Sequence, residues 1–175
     1  MFDEHATITC VLQVTLERVW SIVPSQSDRR SGCSISISLE IFGDRWSLLV
    51  VRDLMFKGLR TFREFAAAGE GIATNILTDR LERLEVAGII SSDADPDDRR
   101  RVVYRLTRKG MELAPVLVEM IIWAARHERT EAPAETVRAM KNRDAFIKAL
   151  WKEWNAANRE SKPARVSNSA SLARR

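Results

Sequence analysis

The chain has 175 residues, enough for one core with appendages. Hydrophobic residues make up 45% and charged residues 30%, an ordinary globular balance, and no run of about 18 uncharged apolar residues is present to form a membrane-spanning helix. The net charge is +4, but Arg159, Lys162, Arg165, Arg174 and Arg175 against Glu160 account for all of it, so a nucleic-acid face would have to be a local patch.

Cys10 and Cys33 do not make a disulfide framework. His5 and His127 have no cysteine nearby at metal-ligand spacing, so no metal or cofactor is expected. Asp3 and Glu4 stand where a secretory signal would be basic, and the cytoplasm is the expected compartment.

Ile8, Cys10, Leu12, Val14 and Leu16 alternate as in a strand, but nothing downstream supplies a partner strand. Pro24 to Gly32 is a polar linker. Residues 1–30 therefore form an N-terminal extension, with Val23 a candidate true initiator. Periodicity turns helical at Cys33: Ile35, Leu39 and Phe42 form a stripe that ends at Gly43, a glycine suited to a helix C′ position. Trp46, Leu49, Val50, Asp53 and Leu54 follow at helical spacing on a mostly apolar second helix, expected to be central in the core with Trp46 packed there. Lys57-Gly58 ends it.

Thr61-Phe62-Arg63-Glu64 is a capping box, a threonine with glutamate three residues on. It opens a short third helix with Phe62 and Phe65 inward. Gly69-Glu70-Gly71 makes a turn. A fourth helix runs from Thr74, as its cap, to Ala87, with Leu77, Leu81 and Leu84 buried and Gly88 closing it. Two β segments, Gly88–Ser91 and Val102–Leu106, bracket the charged turn Asp95 to Arg101. Thr107 caps a long helix with Leu113, Leu117, Met120, Ile121 and Ala124 on one stripe and a bend at Pro115. After Ala132-Pro133 a last helix covers about Ala134 to Trp154, and residues 158–175 read as a disordered basic tail.

Helix, helix, short helix, turn, helix and hairpin is the order of a winged helix-turn-helix, a mainly α fold with a small β-hairpin. In that arrangement the fourth helix enters the major groove of duplex DNA, and the hairpin tip meets backbone phosphates. The DNA-contact candidates are Thr61 and Arg63 on the third helix, Thr74, Asn75, Thr78, Asp79 and Arg83 on the fourth, and Arg99, Arg100 and Arg101 at the tip. Asp79 and Glu82 would repel phosphate unless paired with Arg80 or Arg83.

Cys33 followed by Leu39-Glu40-Ile41-Phe42-Gly43-Asp44-Arg45-Trp46-Ser47-Leu48-Leu49-Val50-Val51-Arg52-Asp53-Leu54 resembles the HxlR family of bacterial regulators. Thr61–Phe65, Gly71-Ile72, Leu77-Thr78-Asp79-Arg80-Leu81 and Tyr104–Gly110 continue the match in order. The resemblance covers residues 31–127, the winged helix-turn-helix domain. It implies a homodimer joined through the first and last helices (here 128–157), a roughly palindromic operator and no enzymatic activity. It also makes Cys33 a redox-sensor candidate, with a small-molecule or electrophile effector. The amide dipoles of a helix start lower a thiol pKa, whereas the alternative is a small buried residue packing the first helix. Ser34 and Ala73-Thr74 replace the family's usual residues at two places. The wing is similar to that of MarR-type regulators, the nearest alternative family. A protein-interaction module that does not bind DNA would explain the helices but not the wing arginines.

Overall fold

The computed structural model describes residues 31–160. In chain order they form α1 (Ser34–Phe42), α2 (Ser47–Phe56), α3 (Phe62–Ala66), α4 (Thr74–Val86), β1 (Ile90–Ala94), β2 (Val102–Leu106), α5 (Arg108–Met111), α6 (Ala114–His127), α7 (Ala134–Lys141) and α8 (Arg143–Glu160). The alternation at Ile8–Leu16, the candidate start at Val23 and residues 161–175 lie outside the described residues.

The strongest apolar run builds the centre. Val50, Val51 and Leu54 of α2 are buried, as are Leu77, Leu81 and Leu84, one helical stripe of α4. Phe65, Ile89, Ile90, Leu106, Met111 and Leu117 complete this core. Truncating a side chain buried like Leu81 typically costs about 2–5 kcal/mol. A second cluster joins Val118 and Ile122 of α6 to Met140 of α7, with Phe56 and Phe146 against it.

The hairpin is antiparallel, with Ile90 opposite Leu106 and Ala94 opposite Val102. Its buried base sits in the core and its tip projects away. The chain just before α3 extends the pairing: Thr61 bridges Val103, and the Tyr104 amide donates to the Arg60 carbonyl at 2.7 Å. This third partner of the wing was not visible in the sequence, because two residues carry no periodicity.

Several expectations are corrected. Gly43 ends α1 at φ −71°, outside the left-handed region; it is small because a Cβ there would stand 2.3 Å from the Leu39 carbonyl oxygen. Trp46 is only half-buried, beside the core, with the Arg45 guanidinium 5.1 Å above its ring. Thr107 caps the four-residue α5 rather than a long helix, and Pro115 begins α6 instead of bending it, since proline's missing donor is harmless in a first turn. The buried stripe of α6 is Ala114, Leu117, Val118 and Ile122, and Met120 is exposed. The last helical stretch is two helices, and α8 runs to Glu160, past the expected start of the tail.

Phe146, Leu150, Trp151 and Trp154, which exceed what a small sequence-predicted domain needs, pack on the chain's own core. The Trp154 indole N–H donates to the Leu106 carbonyl at 2.9 Å and ties α8 to the wing base.

Gly110 fixes how closely α5 approaches the hairpin. A Cβ at this position would lie 2.2 Å from the Ile89 carbonyl oxygen, a backbone atom that cannot swing aside. Gly110→Ala should therefore destabilise the fold by about 1–3 kcal/mol. Gly32→Ala, which meets nothing within 4 Å, should change urea unfolding little.

Candidate nucleic-acid interface

The α3–turn–α4 unit is set by local chemistry. The Thr61 hydroxyl accepts from the Glu64 amide, while the Glu64 carboxylate accepts from the Thr61 amide at 2.7 Å, so the capping box is complete. Gly71 then takes φ +71°, a left-handed conformation that costs glycine little. Ala73, not Thr74, is the N-cap of α4, and no side chain caps its first turn. With Leu77, Leu81 and Leu84 turned inward, Thr74, Asn75 and Thr78 are exposed at the N-terminal end. The Thr78 hydroxyl donates to the Thr74 carbonyl at 3.0 Å.

One carboxylate aims this helix. Asp44 accepts from the amides of Trp46 and Ser47 at 2.7 and 2.9 Å, from the Ser47 hydroxyl, and from the Arg80 guanidinium at 3.0 Å. Burial alone would raise the Asp44 pKa, but the Ser47 hydroxyl, the two amides and Arg80 together hold it below the usual carboxylate value. Arg80 also pairs with Asp79 at 2.7 Å, and Asp79 with Arg83 at 3.2 Å. Asp79 is thus neutralised by its own helix, while Glu82 is exposed and forms no ion pair among the described residues.

The wing is braced at both ends. Asp95, a buried carboxylate, accepts from the Asp97 amide at 2.9 Å and from Arg101 Nε at 2.7 Å. The Asp95 amide donates to the Arg101 carbonyl at 2.8 Å and closes the turn. At the base, Glu85 of α4 accepts from the Ser92 amide at 3.0 Å and the Ser92 hydroxyl at 2.6 Å. Arg99 and Arg100 at the tip are exposed, and neither side chain pairs with a carboxylate among the described residues. Arg63 is exposed on α3.

The sequence-predicted contact residues therefore divide. Asn75, Thr78, Arg63, Arg99 and Arg100 lie open, Thr61 and Arg101 spend their polar groups on folding, and Asp79 and Arg83 pair with each other. Asp44, Glu85 and Ser92 were missed. The pattern Asp44-x-x-Ser47 could have signalled a helix start; nothing local signals the Glu85–Ser92 link. Cys33 is exposed at the start of α1, contrary to the alternative of a buried packing residue. The backbone amides of Ser36 and Ile35 hold its thiol below the ordinary range.

A helix with an open N-terminal face, rigidly joined to a hairpin with two unpaired arginines at its tip, is a winged helix-turn-helix DNA-binding domain. Residues 41–132 match the HxlR-like helix-turn-helix family, and the chain belongs to that family of transcriptional regulators. It is 42% identical over 88 residues to the HTH-type transcriptional regulator sll1512 of Synechocystis, covering 50% of this chain and 64% of that one, just under two thirds of the relative's length. Among solved structures, PA1607 shares 34% identity with a TM-score of 0.55 over 62% of this chain and 75% of its own. The oxidised form of the redox regulator HypR shares 26% with a TM-score of 0.50, over 56% of this chain and all of that one.

The Asp95 brace predicts a titration. The Asp97 amide first, and Arg101 second, lower the Asp95 pKa from its ordinary 3.8. A depressed folded pKa means that the order this pair adds is present above the unfolded value and lost as pH falls through the folded one. The Asp97 amide resonance should titrate with a midpoint below 3.8, and a midpoint at or above it would show that the brace does not form in solution.

Proposed function

We propose that this chain represses or activates transcription as a homodimer, placing Asn75 and Thr78 of two α4 helices at base edges in successive major grooves of a roughly palindromic operator. Arg99 and Arg100 of each wing, and Arg63, meet phosphates. The open N-terminal face of α4, with Asp79 beside it paired to Arg80 and Arg83, is the observation that carries this reading. The protein acts by binding and not by catalysis. It works in the cytoplasm; no helix among the described residues is long and apolar enough to cross a membrane.

Dimerisation is supported by apolar surface that the monomer leaves uncovered. Ile35 and Leu39 on α1 are 71% and 60% exposed, and Met120 and Trp123 on α6 are 50% and 60% exposed. Val116, Met120 and Trp123 lie at helical spacing on one face of α6, and the Trp123 ring reaches His127 at 5.1 Å. Covering these side chains across a two-fold axis would set the recognition helices about one DNA turn apart. Exposure of Cys33 at a helix start, together with the similarity to the redox regulator HypR, supports Cys33 as the sensor of an oxidant or electrophile.

Three arginines in a row separate contact from bracing. Arg99→Ala and Arg100→Ala should each lower the slope of log affinity against log salt by about 0.9 and weaken all duplex sequences alike, with stability unchanged. Arg101→Ala should instead loosen the wing and shift the Asp97 amide resonance. Asn75→Ala should cost roughly 1–3 kcal/mol at one operator position and relax the preference there. An unchanged site preference would remove α4 as the reading helix.

The dimer is tested apart from DNA. Wild-type protein at micromolar concentration should sediment as a dimer, and Trp123→Glu should sediment as a folded monomer with weakened operator binding. A dimer that survives both Trp123→Glu and Leu39→Glu would rule out these faces as the interface.

A further inference from the structure

Between the C-terminal end of α2, the wing strand β2 and α8 lies a cavity of about 400 Å³, within the size range of small-molecule sites. Leu54, Leu106, Met111, Leu150 and Trp154 supply its apolar lining. Its charged lining is mostly cationic: Lys57, Arg60 and Arg105 against one carboxylate, Glu153.

These cations differ in how far they are already satisfied. Lys57 pairs with Asp53 at 3.1 Å. Arg105 reaches the exposed Asp93 only at 3.6 Å. The Arg60 guanidinium donates to the carbonyls of Leu54 and Leu59 at 2.6 and 3.0 Å; it forms no ion pair among the described residues, the nearby Glu64 carboxylate accepting instead from the Arg60 amide at 2.8 Å. Burial, and then the neighbouring Arg105 guanidinium, push Arg60 below its ordinary range. Two half-buried guanidinium groups that line one cavity and repel each other are stabilised by an anion placed between them. A planar carboxylate is the group that matches their forked donors.

From this arrangement we propose that the cavity is a binding site for a small organic carboxylate with an apolar, ring-sized body. Its carboxylate lies between Arg60 and Arg105 and its body against Leu150 and Trp154. Two of the walls are the helix and strand joined by the Trp154–Leu106 hydrogen bond, so an occupant holds α8 against the wing base. This goes beyond the DNA-binding proposal and does not depend on it, and it is distinct from the Cys33 site on α1.

The test uses the full-length chain without DNA, with 2-naphthoate as probe and the neutral 2-naphthamide as its isostere. Calorimetry should show saturable binding of one naphthoate per chain, a raised thermal midpoint, and at least about tenfold weaker binding of the amide, a difference of about 1.4 kcal/mol. Arg105→Gln should weaken naphthoate by a similar factor and leave naphthamide unchanged. Leu150→Trp, which fills the cavity without removing charge, should abolish binding of both; far-ultraviolet circular dichroism verifies that each variant is folded. Absence of saturable naphthoate binding at millimolar concentration would overturn the proposal. So would equal affinity for acid and amide, or naphthoate affinity that is unaltered in folded Arg105→Gln.

Discussion

The direction of the recognition helix rests on one carboxylate that belongs to another element. Asp44 sits in the turn before α2 and gathers two amides, one hydroxyl and the Arg80 guanidinium of α4. Hydrogen bonds to charged groups contribute about 1.5–3 kcal/mol each when largely shielded, and Asp44 and Arg80 are both mostly shielded. The apolar stripe of α4 fixes which face is buried, but a stripe permits sliding and tilting. The ion pair removes that freedom. It also explains why Arg80, one residue beyond the open face, faces inward although it is a cation on a helix that would meet a polyanion.

A second set of links joins α4 to the wing. Glu85 holds Ser92, and the Lys109 ammonium donates to the Ala87 carbonyl at 2.6 Å, at the negative end of the α4 dipole. The reading helix and the hairpin therefore move together. At the far end of the hairpin the acids divide the work: Asp95 immobilises Arg101, leaving Arg99 and Arg100 to project. The run of three arginines among four aspartates is close to neutral as a sum; with Asp95 held by Arg101, the exposed Asp97 and Asp98 stand beside Arg99 and Arg100, whose side chains stay free to meet a phosphate.

How much of this was legible depends on the range over which each feature is encoded. The capping box at Thr61 and Glu64, the Leu77-Leu81-Leu84 stripe and the glycine turns are local patterns, and the structure carries them where the sequence placed them. Pro115 was read as a bend because proline disrupts a helix interior; in a first turn it has nothing to disrupt. The aromatic residues of the last helix look surplus to a small domain when only the sequence is read, because the sequence does not reveal how much core the hairpin base and α2 leave uncovered. Phe146, Trp151 and Trp154 fill that space within the chain. The Asp44–Arg80 and Glu85–Ser92 pairs join residues with no shared periodicity, so no pattern search along the chain finds them. Asn75 and Thr78 were legible as exposed positions, but what keeps Asp79 harmless beside them required the geometry.

These links also constrain how any signal could reach DNA. With α4 pinned to α2 through Asp44, to β1 through Glu85 and to α5 through Lys109, the domain has little internal freedom with which to turn its reading helix. An effector acting within one domain would have to break one or more of these links. Changing the spacing between the two domains of the proposed homodimer breaks none of them, since it would only re-seat exposed apolar side chains such as Ile35, Leu39 and Trp123. Half-site spacing is the quantity a two-fold DNA binder reads most sharply. For the proposed homodimer, rigid-body displacement of the α1 and α6 faces is therefore the route that leaves these links intact. Cys33, at the start of α1, stands at the edge of one of those faces.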